Sequence, residues 1–445
     1  MQSAKIINDP VFGFIRVPRG LLLDIVRHPA FYRLSRIKQL GGANIVYPGA
    51  QHTRLQHSLG AFHLMGKAIL SLQQKGHFIF DSEAEAVQAA ILLHDIGHGP
   101  FSHVLEHTLI HGVSHEDISL MVMEQMNEEM RGLLGLAIKI FKDEYPKRFL
   151  HQLISSQLDM DRLDYLKRDA FFTGVNEANI GSSRIIDMLD MVDDQLVVDK
   201  KGIYSIENYL VSRRLMYWQV YLHKTSVAAE HVMINALKRA KQLAKQELST
   251  VNPQLLPVDS GKLTVDSCHV DNSQSGSQLS TVNCQLSTLF ASPALRFFLY
   301  NDIDRQTFFS QPECLQNYLT LDDNDIWSAM KVWCNHPDPI LSLLSRDFIN
   351  RNIFKVEMSD EPVSEERKQQ KLQELAERYH VSTDDASYLI SSIEVGKDMY
   401  SVDDDQIEIR FNDGTTRDLT EASDMLSTSL ATKKIRKHYF CYQRM

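Results

Sequence analysis

A largely apolar segment, Ala89 to Leu93, runs directly into His94-Asp95 and then into Gly97, Gly99 and Pro100. The segment belongs to a 3.6-periodic pattern through Val87, Ala90, Ile91 and Leu93, with Ser82 and Glu85 reading as its capping box. Glycine unwinds a helix readily and proline cannot continue one, so this helix is expected to run to Gly97, with the imidazole–carboxylate pair in its last turn. Burying that pair is unfavourable unless something pairs with both groups. A divalent metal ion does so. Imidazole with carboxylate suits Fe, Mn, Zn, Co or Ni, whereas an all-oxygen set would favour Mg or Ca.

Helical patterning dominates the rest of the first 350 residues. Ile6 to Val17, with turn residues Asn8-Asp9-Pro10 and Gly13, reads as a short extended or hairpin element. Helices are expected from Leu21 to about Leu40, from near Thr53, and over about 115–130, 148–169 and 205–247. Residues 249–290 are rich in Ser, Thr, Gln, Asn and Val with very few charges, and Leu-Ser-Thr-Val-Asn occurs twice. Two short copies do not make a solenoid, and the stretch reads as a surface insertion or linker. Helical pattern returns over 291–350. From 351 to 445 the character changes. Strands are expected at Ile353–Met358, Tyr388–Val395, Gln406–Phe411 and Lys434–Tyr442, a helix at Ser364–Tyr379, and a hairpin turn at Asn412-Asp413-Gly414. The expected class is mainly α with a small C-terminal α+β part.

Composition narrows the function classes. With 43% hydrophobic and 23% charged residues the chain is ordinary globular material, which sets aside collagen-like, coiled-coil and disordered readings. Its 47 Lys+Arg against 57 Asp+Glu give a net charge of -10, so general duplex DNA binding is not expected. The five Cys stand apart, without a C-x-x-C pair, as suits free thiols in a reducing compartment. Neither a signal-peptide core at Met1–Pro10 nor a run of about 18 apolar residues is present, and a cytoplasmic protein with no membrane partner is expected.

The 18 His are the compositional oddity. His57 falls on the second long helix. His98, His103, His107, His111 and His115 follow His94-Asp95, interleaved with Glu106 and Glu116, and Asp161 lies on a later helix with Asp164 and Asp169. A lone His on a helix face is usually a core residue, but the strings here are longer. They are Gln51-His-Thr-Arg-Leu-Gln-His-Ser-Leu-Gly60, His94-Asp-Ile-Gly-His-Gly-Pro-Phe-Ser-His103, Asp161-Arg-Leu-Asp-Tyr-Leu-Lys-Arg-Asp169 and Ile37-Lys-Gln-Leu-Gly-Gly42. Together they resemble the HD-domain metal-dependent phosphohydrolases, in the deoxynucleoside triphosphate triphosphohydrolase branch. The resemblance covers about residues 5–245, so 1–248 is read as the all-α HD domain.

That resemblance implies roles. His57, His94, Asp95 and Asp161 would be ligands of one divalent transition metal, with Mg a further candidate beside the substrate phosphates. His115 would be the general acid to the leaving oxygen, oriented by Glu116, while His98 and His103 would contact phosphates. Arg54, Arg162 and Arg213 match phosphate-contacting positions, and Tyr165 lines the same pocket. Lys167 and Arg168 read instead as a solvated helix face. Gln39, Leu40 and Asp169 match the residues that hold and crowd the sugar 3'-OH, and Tyr221 the one that packs against the 2' carbon. The expected substrate is a dNTP and the expected assembly a homo-oligomer, dimer or tetramer. Lys5 and Asn8 match an effector-nucleotide site, but Arg27 and Ser35 replace its base-reading pair. Leu222 replaces a polar residue near the base. Two other readings stand beside this one: an HD phosphohydrolase for another phosphoester, such as a nucleoside monophosphate or signalling nucleotide, and a non-catalytic nucleotide- or nucleic-acid-binding module with a structural metal.

Overall fold

A computed structural model describes residues 4–101, 104–105, 108–250, 289–397, 400, 406–425 and 435–444. His103, His107, Glu106 and residues 251–288 of the expected insertion lie outside the described residues.

The chain opens with an antiparallel hairpin, β1 (Lys5–Asp9) and β2 (Gly13–Val17), paired from Lys5–Val17 to Asp9–Gly13. Asp9 Oδ1 closes its turn by accepting from the N–H of Val11 and of Phe12, at 3.0 and 2.9 Å. The single helix expected over Leu21–Leu40 is broken instead. α1 (Leu21–Arg27) stops at His28, whose ψ of 136° is extended, because Pro29 excludes the helical region from the residue before it. α2 (Pro29–Tyr32) and a 3-10 turn (Arg33–Arg36) follow, and Lys38 then bridges to Thr53.

α3 (Arg54–Gln74) begins with a capping box between Thr53 and Gln56. α4 (Asp81–Leu93) ends with His94 as its C-cap, short of the end expected at Gly97, so His94 and Asp95 stand just beyond the helix rather than in its last turn. Its start corrects the sequence reading: the capping carboxylate is Glu83, which accepts from the N–H of Phe80 at 2.9 Å and is held by Lys147 and Tyr145. Ser82 is exposed. The pattern at 115–130 is α5 (His115–Glu129), and two short helices, α6 (Gly135–Phe141) and α7 (Arg148–Gln152), lead to α8 (Met160–Thr173). α3 packs against both α4 and α8, which brings three widely spaced segments together.

After α9 (Ser182–Met188) comes a hairpin that periodicity missed, β4 (Leu189–Val192) and β5 (Gln195–Asp199). A minor parallel pair joins β3 (Ile110–His111) to β6 (Ile303–Asp304). α10 (Ile203–Met216) passes into a π-helical turn over Tyr217–Tyr221, and α11 (Lys224–Thr250) follows. The 291–350 segment forms α12 (Pro293–Tyr300), α13 (Arg305–Ser310), α14 (Pro312–Thr320), α15 (Asp323–Trp333) and α16 (Pro339–Ile349), the last packed along α11.

Five C-terminal elements fall close to their expected places, β7 (Lys355–Ser359), α17 (Glu365–Tyr379), β8 (Ile390–Lys397), β9 (Glu408–Arg410) and β11 (Ile435–Tyr442), and a strand that was not expected, β10 (Thr416–Asp418), follows the turn at Asn412-Asp413-Gly414. β7, β11 and β8 make one antiparallel sheet in that order. β9 instead pairs in parallel with β5, extending the hairpin of the helical region to a four-stranded sheet β10-β9-β5-β4. One hydrophobic cluster runs from Ile15 to Tyr442 through both parts. The protein is thus a mainly helical core that carries a few short strands, with a C-terminal α+β part. No described helix is long and apolar enough to cross a membrane.

Candidate metal centre and active site

α3 contributes His57, the end of α4 contributes His94 and Asp95, and the first turn of α8 contributes Asp161. One side-chain donor from each of His57, His94 and Asp161 lies within 4.8 Å of the other two. The two imidazole Nε2 atoms are 3.3 Å apart, and His57 Nε2 is 3.0 Å from Asp161 Oδ1. Asp95 stands alongside, 3.6 Å from His57 Nε2 and 3.5 Å from His94 Nε2, with its Oδ2 also bonded to Arg54 Nη1 at 2.5 Å.

The outer nitrogens fix what these atoms present. His94 Nδ1 donates to the carbonyl of Ile91 at 2.7 Å, and His57 Nδ1 donates to Asp164 Oδ2 at 2.7 Å. Each imidazole therefore turns its Nε2 lone pair inward, toward the other lone pair and a carboxylate. Such an arrangement repels itself unless a cation stands in it. The electrostatics ask for positive charge at the same point, which a proton on His57 Nε2 supplies in place of an ion: burial alone would depress the His57 imidazole, but its bonds to Asp161 and Asp164 outweigh this and push it up to about 10. Burial would raise Asp161, and the two imidazoles instead hold it far below the usual carboxylate range. The donor set, two imidazoles with one or two carboxylates, fits a divalent transition ion.

Beside the cluster, His98 and His115 stack face to face, with centroids 3.9 Å apart and planes 17° from parallel. Gly97 makes this approach possible, since a Cβ there would meet the His115 carbonyl at 2.2 Å and the Ser119 N–H at 2.3 Å. Burial, and then the positive charge of Arg54, drive the His98 imidazole far down, so it is neutral. Glu116 does not join the group. It is exposed, one residue round the helix from His115.

Three cations behave differently from one another. Arg162 pairs with Asp159, the N-cap of α8, at 3.2 Å. Arg213 is buried, yet its Nε and Nη1 have no partner among the described residues. Arg168, read as part of a solvated face, is fully buried and forms a two-pronged pair with Asp164. The α8 backbone turns it inward against α3, where Gly60 leaves the room. Lys167, by contrast, is half-buried over the ring of Phe12.

Two of the expected sugar residues, Asp169 and Tyr221, meet. Tyr221, on the π-helical turn, donates its hydroxyl to Asp169 Oδ2 at 2.7 Å. Tyr165 stands between, its ring centroid 6.0 Å from that of Tyr221 and 6.5 Å from that of His57. Gln39 has a buried Oε1 without a donor among the described residues, and Leu40 beside it packs on the core. His52 was missed by sequence reasoning. It is buried, stacks on Phe172, and bonds Asp169 Oδ1 at 2.6 Å. Its place two residues before Arg54, inside one of the quoted strings, was the available signal.

A second omission lies far along the chain. Asp323 at the start of α15 accepts from the N–H of Phe101 at 3.0 Å and of Lys38 at 2.9 Å. Tyr318 donates to the Gly97 carbonyl at 2.7 Å, and Arg33 bridges the carbonyls of His98 and Leu321. The 291–350 segment thus braces, from behind, the loop after His94 and the strand-like residues beside Gln39. No local pattern in the sequence announces it.

Comparison with known proteins matches this geometry to a family. The description "HD domain" matches residues 54–169, and "HD associated region" residues 180–273. A Bacillus subtilis protein named uncharacterized protein YwfO is 31% identical over 80% of this chain and 72% of its own length. The deoxynucleoside triphosphate triphosphohydrolase SAMHD1 homolog of Dictyostelium discoideum is 30% identical over 55% of this chain, which spans 51% of that relative. A crystal structure of a phosphohydrolase from Bacteroides thetaiotaomicron superposes with a TM-score of 0.88 at 60% identity, covering 99% of this chain and 100% of that one. With both His of the cluster and both Asp inside the matched segment, and relatives covered over most of their length, the chain belongs to the HD-domain phosphohydrolase family.

Proposed function

We propose that the protein hydrolyses deoxynucleoside triphosphates to the deoxynucleoside and inorganic triphosphate. One observation supports the reading: Tyr165 lies beside His57 of the cation-demanding cluster, beside Tyr221, which holds Asp169, and within electrostatic reach of Arg213, whose buried Nε and Nη1 have no hydrogen-bond partner among the described residues. A buried guanidinium without a counter-charge is unfavourable by itself and calls for an anion. The buried Gln39 oxygen calls for a donor such as a sugar hydroxyl.

His57, His94 and Asp161, with Asp95, would hold one divalent ion, which as a Lewis acid polarises a phosphate oxygen and lowers the pKa of water. Arg54 and Arg213 neutralise charge on the polyphosphate, and Arg162, half-committed to Asp159, adds to that field. Water adds to the α-phosphorus, the bond from phosphorus to the sugar oxygen breaks, and His115 gives the leaving oxygen its proton. His98, held neutral against His115, keeps that ring in place and offers an uncharged contact to phosphate. His103, outside the described residues, keeps its proposed phosphate contact. Asp169, pinned by His52 and Tyr221, accepts from the 3'-OH.

Incubation of the full chain with each dNTP and NTP in Mn, Co or Mg, with products separated by anion exchange, tests this. Triphosphate from dNTPs and little turnover of NTPs is the expected result. Pyrophosphate or phosphate as the released product, or equal cleavage of ATP and dATP, would overturn it.

A further inference from the structure

The N-terminal hairpin lies outside the segment that matches the HD domain, yet it reaches the metal cluster through three buried charges. His57 Nδ1 bonds Asp164 Oδ2 at 2.7 Å. Arg168 donates to Asp164 through Nε at 2.9 Å and through Nη2 at 2.9 Å. Its third prong, Nη1, reaches Asp9 Oδ2 on β1 at 2.7 Å. The side chains of His57, Asp164 and Arg168 are 0% exposed and that of Asp9 is 4% exposed. Gly60 keeps the path clear, because a Cβ at that position would lie 1.9 Å from Asp164 Oδ1 and 2.2 Å from Arg168 Nη2.

We propose that Asp9 is a positioning residue for the metal centre, acting through Arg168 and Asp164 on the imidazole of His57. Asp164 and Arg168 alone would neutralise each other, and Asp164 would be a weakened acceptor for the His57 N–H. Asp9 divides the guanidinium between two carboxylates, so Asp164 stays a strong acceptor and His57 Nε2 a better donor toward a cation. Groups of this kind behind a ligating His govern its orientation and basicity, and their loss weakens metal affinity by about 10- to 100-fold. Asp9 itself is held by the hairpin turn, its other oxygen taking the N–H groups of Val11 and Phe12. Phe12 then covers the guanidinium, its ring centroid 5.6 Å from Arg168 Cζ. The hairpin is therefore a built part of the site rather than a strand pair laid on its surface.

The proposal rests on the metal-centre reading, and its test separates the two. Full-length wild type, Asp9→Asn and Arg168→Lys would be stripped with chelator and titrated with Co2+, following heat and the visible Co2+ spectrum. Melting of the metal-free proteins would be followed in parallel. Asp9→Asn, nearly isosteric, should bind Co2+ about 10-fold more weakly, near the low end for one step farther out. Arg168→Lys, a point charge that cannot hold both carboxylates, should lose as much or more. Both should show an altered Co2+ spectrum. Unchanged Co2+ affinity and spectrum in both variants, with lower melting of the metal-free protein alone, would make the contacts merely structural and overturn the proposal. A wild type that takes up no Co2+ would overturn the metal centre first, and the proposal with it.

Discussion

Tyr221 carries two properties that a single substitution can separate. Its ring faces Tyr165 and its hydroxyl holds one oxygen of Asp169, whose other oxygen is held by His52. Tyr221→Phe removes only the hydroxyl bond. One buried hydrogen bond is worth about 1 kcal/mol, so kcat/KM for dATP should fall roughly five-fold while the dATP/ATP preference persists. Tyr221→Ala removes the ring as well and should narrow that preference by admitting the ribonucleotide. Steady-state kinetics on both substrates decide the matter, and a Phe variant that loses selectivity as fully as the Ala variant would place the discrimination in the hydroxyl. The π-helical turn that presents Tyr221 was not legible in the sequence. Tyr217-Trp218-Gln-Val-Tyr221 has helical periodicity, and the extra residue of a π turn leaves no compositional trace. His57, His94, Asp95 and Asp161 were legible because they sit inside long strings with matching spacing. Arg168 was misread for the opposite reason: a charged residue among charged neighbours looks solvated until the facing helix is known.

At the scale of elements, α15 illustrates how a distant segment takes charge of a site. Asp323 lies 222 residues from Phe101 and 285 from Lys38, and it holds both. Burial raises its carboxyl to about 6, against the pull of those two N–H groups. An unfolded Asp titrates near ~3.9. Between about pH 4 and pH 6 the folded chain therefore holds a proton that the unfolded chain has released. Stability from this group rises as pH falls through that window and is lost again as pH rises through 6. Asp323→Asn does not titrate. The unfolding free energy of wild type minus that of Asp323→Asn, measured by denaturant at several pH values, should become more favourable to wild type from pH 6 to pH 4. A difference that stays flat over that range would show that Asp323 is ionised throughout. The acidic string Asp322-Asp323-Asn324-Asp325 reads locally as a helix start, which it is. Its reach to the loop after His94 depends on tertiary packing, as does the break at His28, which the following proline could have announced. The short β4–β5 hairpin turns on Asp193 and Asp194, both at positive φ, and is too brief for periodicity to mark.

Across the whole molecule, the C-terminal part is tied to the helical part at several levels. β9 extends the sheet begun by β4 and β5, and Arg410 pairs with Asp190 of β4, which His77 also holds. Asn235 of α11 donates to the carbonyls of Tyr388 and Ile390. Tyr439 of β11 donates to the Leu222 carbonyl at 2.9 Å, one residue from Tyr221. A segment attached by a linker would share none of these bonds. Removing residues 351–445 would leave the β5 edge unpaired and bare the apolar surface beneath β8 and β11, including the side now covered by Phe440 and Tyr442. Exposed edges and apolar patches of that kind favour association over folding. Full-length protein should therefore unfold in one calorimetric transition. The chain ending at residue 350 should either aggregate or melt more than about 10 °C lower, given that each kcal/mol moves a chain of 150 to 250 residues by about 2–4 °C and larger chains by less. Two separate transitions in the full chain, with the truncated chain melting at the temperature of one of them and still binding Co2+, would show that the α+β part is an independent unit and that the pocket at Tyr221 does not depend on it.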